Sequence, residues 1–403
     1  MRIVMFYHSL LSDWNHGNAH FLRGVASELR SRGHDVCVYE PKDSWSLENL
    51  LAEHGNKPIE KFKAVYPGLE STQYDLKTLD LNEALDNADL VIVHEWNAHE
   101  LVQRVGKHRA SVGGYRLLFH DTHHRSVSDR SSMASYDLSN YDGVLAYGNV
   151  IRDIYLTEGW TQRAWTWHEA ADTRVFHPID EDGGVGNRES GVMEQKSSFP
   201  QEIQLSGFKN QAFPTPYSLL PTPYQGDLVW IGNWGDDERT AELYEFLIEP
   251  VQELALKARV HGVRYPEKAI ASLATAGIKY AGWLPNYEVP QVFSRFKLTV
   301  HVPRRPYVKA LPGIPTIRIF EALACGIPLV SAPWDDVEGL FIPGKDFLIA
   351  HTGEEMKRQL QSLLQDEEKR KELAQHGRQT ILTRHTCAHR VDELLKIYTE
   401  LEK

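Results

Sequence analysis

Two stretches of this 403-residue sequence hold residue types that can do chemistry at short spacing. In the first, PGIPTIRIFEALACGIPLVSAPW (Pro312–Trp334), Pro315 and Thr316 can open a helix that runs from Ile317 to Ala324. Gly326 and Pro328 then end it ahead of a buried strand. The start of such a helix presents unpaired backbone N–H groups and the positive end of its dipole, which suits a phosphate. Glu321 lies about one turn further on, where a carboxylate can accept two hydroxyls of a ribose. A core helix with a solvated or salt-bridged Glu321 is the competing reading.

The second stretch, FHDTHH (Phe119–His124), follows an apolar run that reads as a strand. Asp121 there can orient an attacking hydroxyl or His120 itself. His120, Asp121, His123 and His124 are all metal-ligand types, but neighbours on an extended segment point to opposite faces and do not sit on a helix. A hydrogen-bonded structural cluster and a metal site both remain open. No bound metal is expected.

The elements that must hold these stretches are alternating strands and helices. Ile3–Tyr7 is a continuous apolar run suited to a strand buried on both faces. After a polar loop with Gly17 and Asn18, Leu22, Val25, Ala26 and Leu29 recur at helical spacing, with Asn18 as N-cap and Gly33 as C-cap. Further buried strands are predicted at Val36–Tyr39, Leu90–Val93, Leu117–Phe119 and Val144–Tyr147. A second series follows at Leu228–Ile231, Ala258–Val260, Ile278–Ala281, Leu298–Val302 and Leu329–Ser331. The expected fold class is α/β, two Rossmann-like domains facing across a cleft. Ligands of such sheets bind beyond the carboxyl ends of the strands. The expected division is an N-terminal domain over 1–175, an irregular linker and insertion over 176–225, and a C-terminal domain over 226–385. A final helix over 386–403 can pack back on the N-domain.

Taken together, the stretch ending Arg318-Ile319-Phe320-Glu321-Ala322-Leu323-Ala324-Cys325-Gly326 resembles the donor-site signature of GT-B glycosyltransferases of the family 4 or "group 1" type. Its form is nearest the spore-maturation-like branch. The resemblance extends to HGNAHFLRGVASELRSRGHDV, WHEAADTRVFHP and WIGNWGDDERT, and spans nearly the whole chain except 181–225. It implies an acceptor-binding N-domain, a nucleotide-sugar-binding C-domain, and transfer of a sugar from a nucleoside-diphosphate sugar to an acceptor hydroxyl. Retention of configuration and independence of metal and cofactor are also implied. By position it assigns His120 to catalysis, and Asp121 joins it as the carboxylate able to orient a hydroxyl or the imidazole. Gly17, Asn18, Gly232, Asn233, Arg239, Arg305, Pro315, Thr316, Arg318 and Glu321 are assigned to the donor. The sequence departs from the family at Gly313, where an E-x7-E motif would have its first Glu, and at Asn233, where an Arg is common. A nucleotide-sugar epimerase and a non-catalytic sugar-nucleotide-binding subunit are the alternatives.

Composition narrows the partners. With 44 Lys plus Arg against 55 Asp plus Glu the formal charge is −11, which disfavours nucleic acid as principal partner. The three scattered cysteines form no disulfide framework or zinc spacing. No run approaches the roughly 20 apolar residues of a bilayer span. A cytoplasmic protein without an integral membrane segment is expected, with peripheral membrane contact left open.

Overall fold

The computed structural model describes residues 1–179 and 224–403, so the aperiodic segment expected over 181–225 lies almost wholly outside the described residues. The first sheet contains β1 (Arg2–Phe6), β2 (Asp35–Pro41), β3 (Ser71–Tyr74), β4 (Leu90–His94), β5 (Arg116–Asp121), β6 (Gly143–Ala146) and β7 (Ala164–Thr166). All its pairings are parallel, in the order β3-β2-β1-β4-β5-β6-β7. The second contains β8 (Gly226–Ile231), β9 (Ala258–His261), β10 (Lys279–Tyr280), β11 (Phe296–His301), β12 (Leu329–Ser331) and β13 (Leu348–Ile349). It is also parallel, in the order β10-β9-β8-β11-β12-β13. Strand order reverses between β1 and β4 in one sheet and between β8 and β11 in the other. These two points fix where crevices open at the carboxyl ends.

Each central strand is apolar along its length because helices cover both faces. Ile3, Val4, Met5, Phe6 and Leu90 to Val93 are all fully buried. The helix Ala19–Ser31 lays Leu22, Val25, Ala26 and Leu29 on the sheet. Each such side chain contributes roughly 1.5–3 kcal/mol of transfer free energy. Asn18 does not cap this helix. Its backbone is already helical and its amide instead donates to the Thr122 carbonyl at 3.2 Å, beyond β5.

The last helix, Cys387–Leu401, opens with a capping box on Thr386 and packs along Ala19–Ser31. Gly24 permits this approach: a Cβ there would lie 2.4 Å from Cys387 Sγ. Trp167, fully buried, donates its indole N–H to the Arg390 carbonyl at 2.8 Å. The end of the chain is thereby stitched to the N-terminal sheet.

Candidate functional site between the two sheets

On the C-terminal side, the loops after β8 and β11 meet at the strand-order reversal. Gly232 gives its carbonyl to the Tyr265 hydroxyl at 2.7 Å, and a Cβ on it would strike the Trp230 ring at 2.7 Å. Asn233 accepts from the Val263 N–H at 2.9 Å and donates across the cleft to Asn15 Oδ1 at 2.7 Å. Arg239 corrects the expectation of a diphosphate contact. Its guanidinium donates to the carbonyls of Val302 (2.8 Å), Trp234 (3.3 Å) and Asn233, and stacks over Trp230. It ties the two loops together. Burial, followed by the charges of Arg304 and Arg318, lowers its pKa to about 9.

Arg305 needs a second correction. It turns to Glu242 Oε1 at 2.9 Å and to the Asp237 carbonyl, away from the other arginines. The neighbouring Arg304 is the one that joins Arg239 and Arg318. Its Nη1 lies 3.0 Å from Glu238 Oε2, and that same oxygen is 3.6 Å from His124 Nε2 of the N-domain.

The helix Ile317–Cys325 begins beside this cluster. Thr316 Oγ1 is 3.0 Å from His301 Nε2 at the end of β11, and the preceding Pro315 is buried. Gly17 abuts the start of the helix, where a Cβ would lie 3.0 Å from Ile317 Cγ2. Gly326 ends it in the left-handed conformation, at φ 68°. Glu321 is fully buried, with Oε2 paired to Arg318 and Oε1 3.0 Å from His20 Nδ1. The Asp172 N–H donates to His20 Nε2 at 2.8 Å, so the imidazole proton resides on Nδ1 and is donated to Glu321. Both oxygens expected to receive a ribose are therefore engaged in this closed arrangement.

His120 and Asp121 belong to β5 itself and are fully buried, which corrects the expectation that they follow the strand. His120 Nδ1 is 2.5 Å from the Tyr7 hydroxyl, its ring packs against Trp167, and burial lowers its pKa to about 3. Asp121 accepts from the His123 N–H and the Tyr155 hydroxyl, both at 3.0 Å, while burial raises its pKa to about 6. The groups nearer the surface are His8, His16, His123 and Trp96, the last 40% exposed. His8 packs on His16 and His94, and Trp96 on His123. Among the described residues no three His, Cys, Asp or Glu side chains are grouped to hold a metal ion.

Asn15, His16, Gly17, Asn233, Trp283 and Arg318 line what remains of the cleft, a cavity of about 30 Å³. A ligand pocket ordinarily needs roughly 300 Å³ or more. A nucleotide sugar does not fit a space of this size between the two domains. The sequence reading missed Asp13, Asn15 and Asn286, which hold them together. Asp13 pairs with Arg23 at 2.7 Å and accepts from the Asn286 N–H at 2.9 Å. Short polar residues in a loop carry no periodic signal that would mark them.

Residues 239–396 match the model of a family described as glycosyl transferase-like. The fold is shared with a glycosyltransferase from Rickettsia africae (TM-score 0.63, 11% identity, covering 100% of this chain and 98% of that one). Anabaena HepE, solved with UDP and glucose, is similar at TM-score 0.63 and 12% identity, over 99% of this chain and 100% of the other. The Thermosynechococcus elongatus sucrose-phosphate synthase has TM-score 0.61 and 13% identity, covering 100% and 99%. The chain has the two-domain GT-B fold of these glycosyltransferase structures, and its C-terminal part matches the glycosyl transferase-like family model. No curated protein sequence matches it significantly.

In this GT-B chain the departure at Gly313 has a steric cause. The residue has φ +86°, and a Cβ would lie 2.5 Å from Glu338 Cγ. Glu338 crosses the cleft there, accepting from the Asn149 N–H at 2.8 Å and lying 2.8 Å from His168 Nε2. A side chain at 313 would displace this bridge.

Proposed function

We propose that this GT-B protein transfers a sugar from a nucleoside-diphosphate sugar to an acceptor hydroxyl, with retention of configuration and without a metal or other cofactor. The observation that carries the reading is the convergence of Arg304 and Arg318 with the start of the Ile317–Cys325 helix at the strand-order reversal of the C-terminal sheet. As the anomeric C–O bond breaks, charge builds on the departing diphosphate. Guanidinium groups and helix N–H groups brought against it stabilise that charge. The complex of HepE with UDP and glucose supports a nucleotide sugar as the ligand class.

The acceptor enters from the ends of β1 and β4, where His8 supplies a polar edge and Trp96 an aromatic face. Closure against the Gly17 loop excludes water and aligns the acceptor hydroxyl. Among the described residues no helix is long and apolar enough to cross a membrane.

The test is titration calorimetry with nucleoside diphosphates and their sugars, followed by product analysis with and without acceptor alcohols. Donor-dependent glycoside formation with retained anomeric configuration is expected in the presence of chelator. Epimerised nucleotide sugar formed without acceptor would instead establish an isomerase. Binding without turnover or donor hydrolysis would establish a binding subunit.

A further inference from the structure

We propose that Glu169 receives hydroxyl groups of the sugar carried by the donor, an inference that rests on the nucleotide-sugar reading above. Glu169 follows β7 on the segment that leaves the N-terminal sheet for the other domain. It is 4% exposed, and its Oε1 is fully buried without a hydrogen-bond partner among the described residues. Buried polar atoms are rarely left in this state, because losing water without a replacement costs free energy.

The position of the carboxyl is imposed by its backbone. The Arg390 Nε donates to the Glu169 carbonyl at 3.4 Å, the Ala171 N–H to the His385 carbonyl at 2.9 Å, and the Trp167 indole to the Arg390 carbonyl at 2.8 Å. These three bonds to the His385–Arg390 segment fix the backbone on either side of Glu169. The orphan is built in.

Its surroundings indicate what it waits for. Arg318 and Glu321 of the Ile317–Cys325 helix are the charged groups that act on its carboxyl, whose pKa burial raises. The neighbouring His168 lies 2.8 Å from Glu338 Oε2 of the other domain, so the segment that carries Glu169 borders the cleft. A diphosphate is the wrong complement, since a carboxylate repels it and the arginines offer a better place. An uncharged group rich in hydroxyls fits. Each hydroxyl can donate to a carboxylate or accept from a carboxylic acid, so the pairing holds whether burial leaves Glu169 ionised or neutral.

The experiment measures affinity by calorimetry for UDP and UDP-glucose, GDP and GDP-mannose, and ADP and ADP-glucose. The pair that binds the unaltered protein is then applied to Glu169→Gln and Glu169→Ala. The alanine variant should lose affinity for the nucleotide sugar by about tenfold or more, the weight of a hydrogen bond to a charged group. Its affinity for the bare nucleoside diphosphate should change by less than about twofold, because the sugar alone makes the contact. Glu169→Gln should fall between, with no loss of melting temperature, and it carries the test if the alanine variant folds poorly. Equal losses for nucleotide and nucleotide sugar, or full nucleotide-sugar affinity in both variants, would overturn the assignment. Failure of the unaltered protein to bind any pair would instead remove the nucleotide-sugar reading itself.

Discussion

Replacing His20 tests how the two domains are held together. The ring makes two buried hydrogen bonds, Nδ1–H to Glu321 Oε1 at 3.0 Å and Nε2 from the Asp172 N–H at 2.8 Å. It also stacks on Phe176, with ring centroids 3.6 Å apart. His20→Ala leaves a carboxylate oxygen and a backbone N–H buried and unpaired, each at about 1–3 kcal/mol. The lost ring contact adds roughly 0.5–1.5 kcal/mol. The total, about 2.5–7.5 kcal/mol, is a large part of the roughly 5–15 kcal/mol that stabilises a domain.

For domains of about 150–250 residues, each kcal/mol moves the melting temperature by roughly 2–4 °C, so a fall of about 5 °C or more is expected by scanning calorimetry. His20→Asn offers an amide N–H to Glu321 and should recover part of the loss. Combining His20→Ala with Glu321→Ala should cost less than the sum of the two single changes, because the second removes the charge that the first leaves stranded. A melting temperature for His20→Ala within about 2 °C of the unaltered protein would refute the tie.

Three further outcomes follow from the same geometry. Arg304→Met should weaken nucleoside-diphosphate binding by about tenfold or more, whereas Arg305→Met, losing only its bonds to Glu242 and Asp237, should change it little; calorimetry on both variants decides. Gly17→Ala places a methyl 3.0 Å from Ile317 Cγ2 and should weaken donor binding about fivefold or more by resisting closure, with recovery when Ile317→Ala is added. Burial lowers the pKa of His120, His301 and His385 to about 3 and of His261 to about 4. These values lie below the unfolded value of about 6.5, so the unfolded chain takes protons first. The stability is present above about pH 6.5 and is lost as pH falls toward 3, at roughly 1.4 kcal/mol per pH unit for each ring. Melting temperature should therefore drop steeply below about pH 6. His120→Gln should make that drop shallower by about one proton's worth, and an unchanged slope would contradict the burial of its ring.

The fold was legible in the sequence wherever a strand is covered on both faces. β1, β4, β5, β8, β11 and β12 coincide with continuous apolar runs because each buries nearly all of its side chains. β3, β7 and β13 escaped that reading. Ser71–Tyr74 lies at a sheet edge with polar residues, Ala164–Thr166 is short and half-buried, and Leu348–Ile349 spans two residues. An edge strand is held by backbone hydrogen bonds to one neighbour, which leave no mark on side-chain pattern. The helix Ile317–Cys325 was also legible from both ends, since Pro315 suits its approach and Gly326 alone takes the left-handed turn that stops it without strain.

Pairing was decided by tertiary structure alone. Local sequence identifies Arg304 and Arg305 as neighbouring cations, but only the packing of the Gly235–Glu242 segment sends one to Glu242 and the other toward Arg239. His120 reads as a site residue because it ends an apolar run. It becomes a core residue because Tyr7, Phe21 and Trp167, from three distant segments, close over it. Glu321 meets His20 across 301 positions of sequence, and Glu169 loses its water through contacts with the end of the chain. Periodicity reports which face of an element is buried. The partner of a buried charge depends on which distant element supplies that face, and this arises only when the two sheets are brought together.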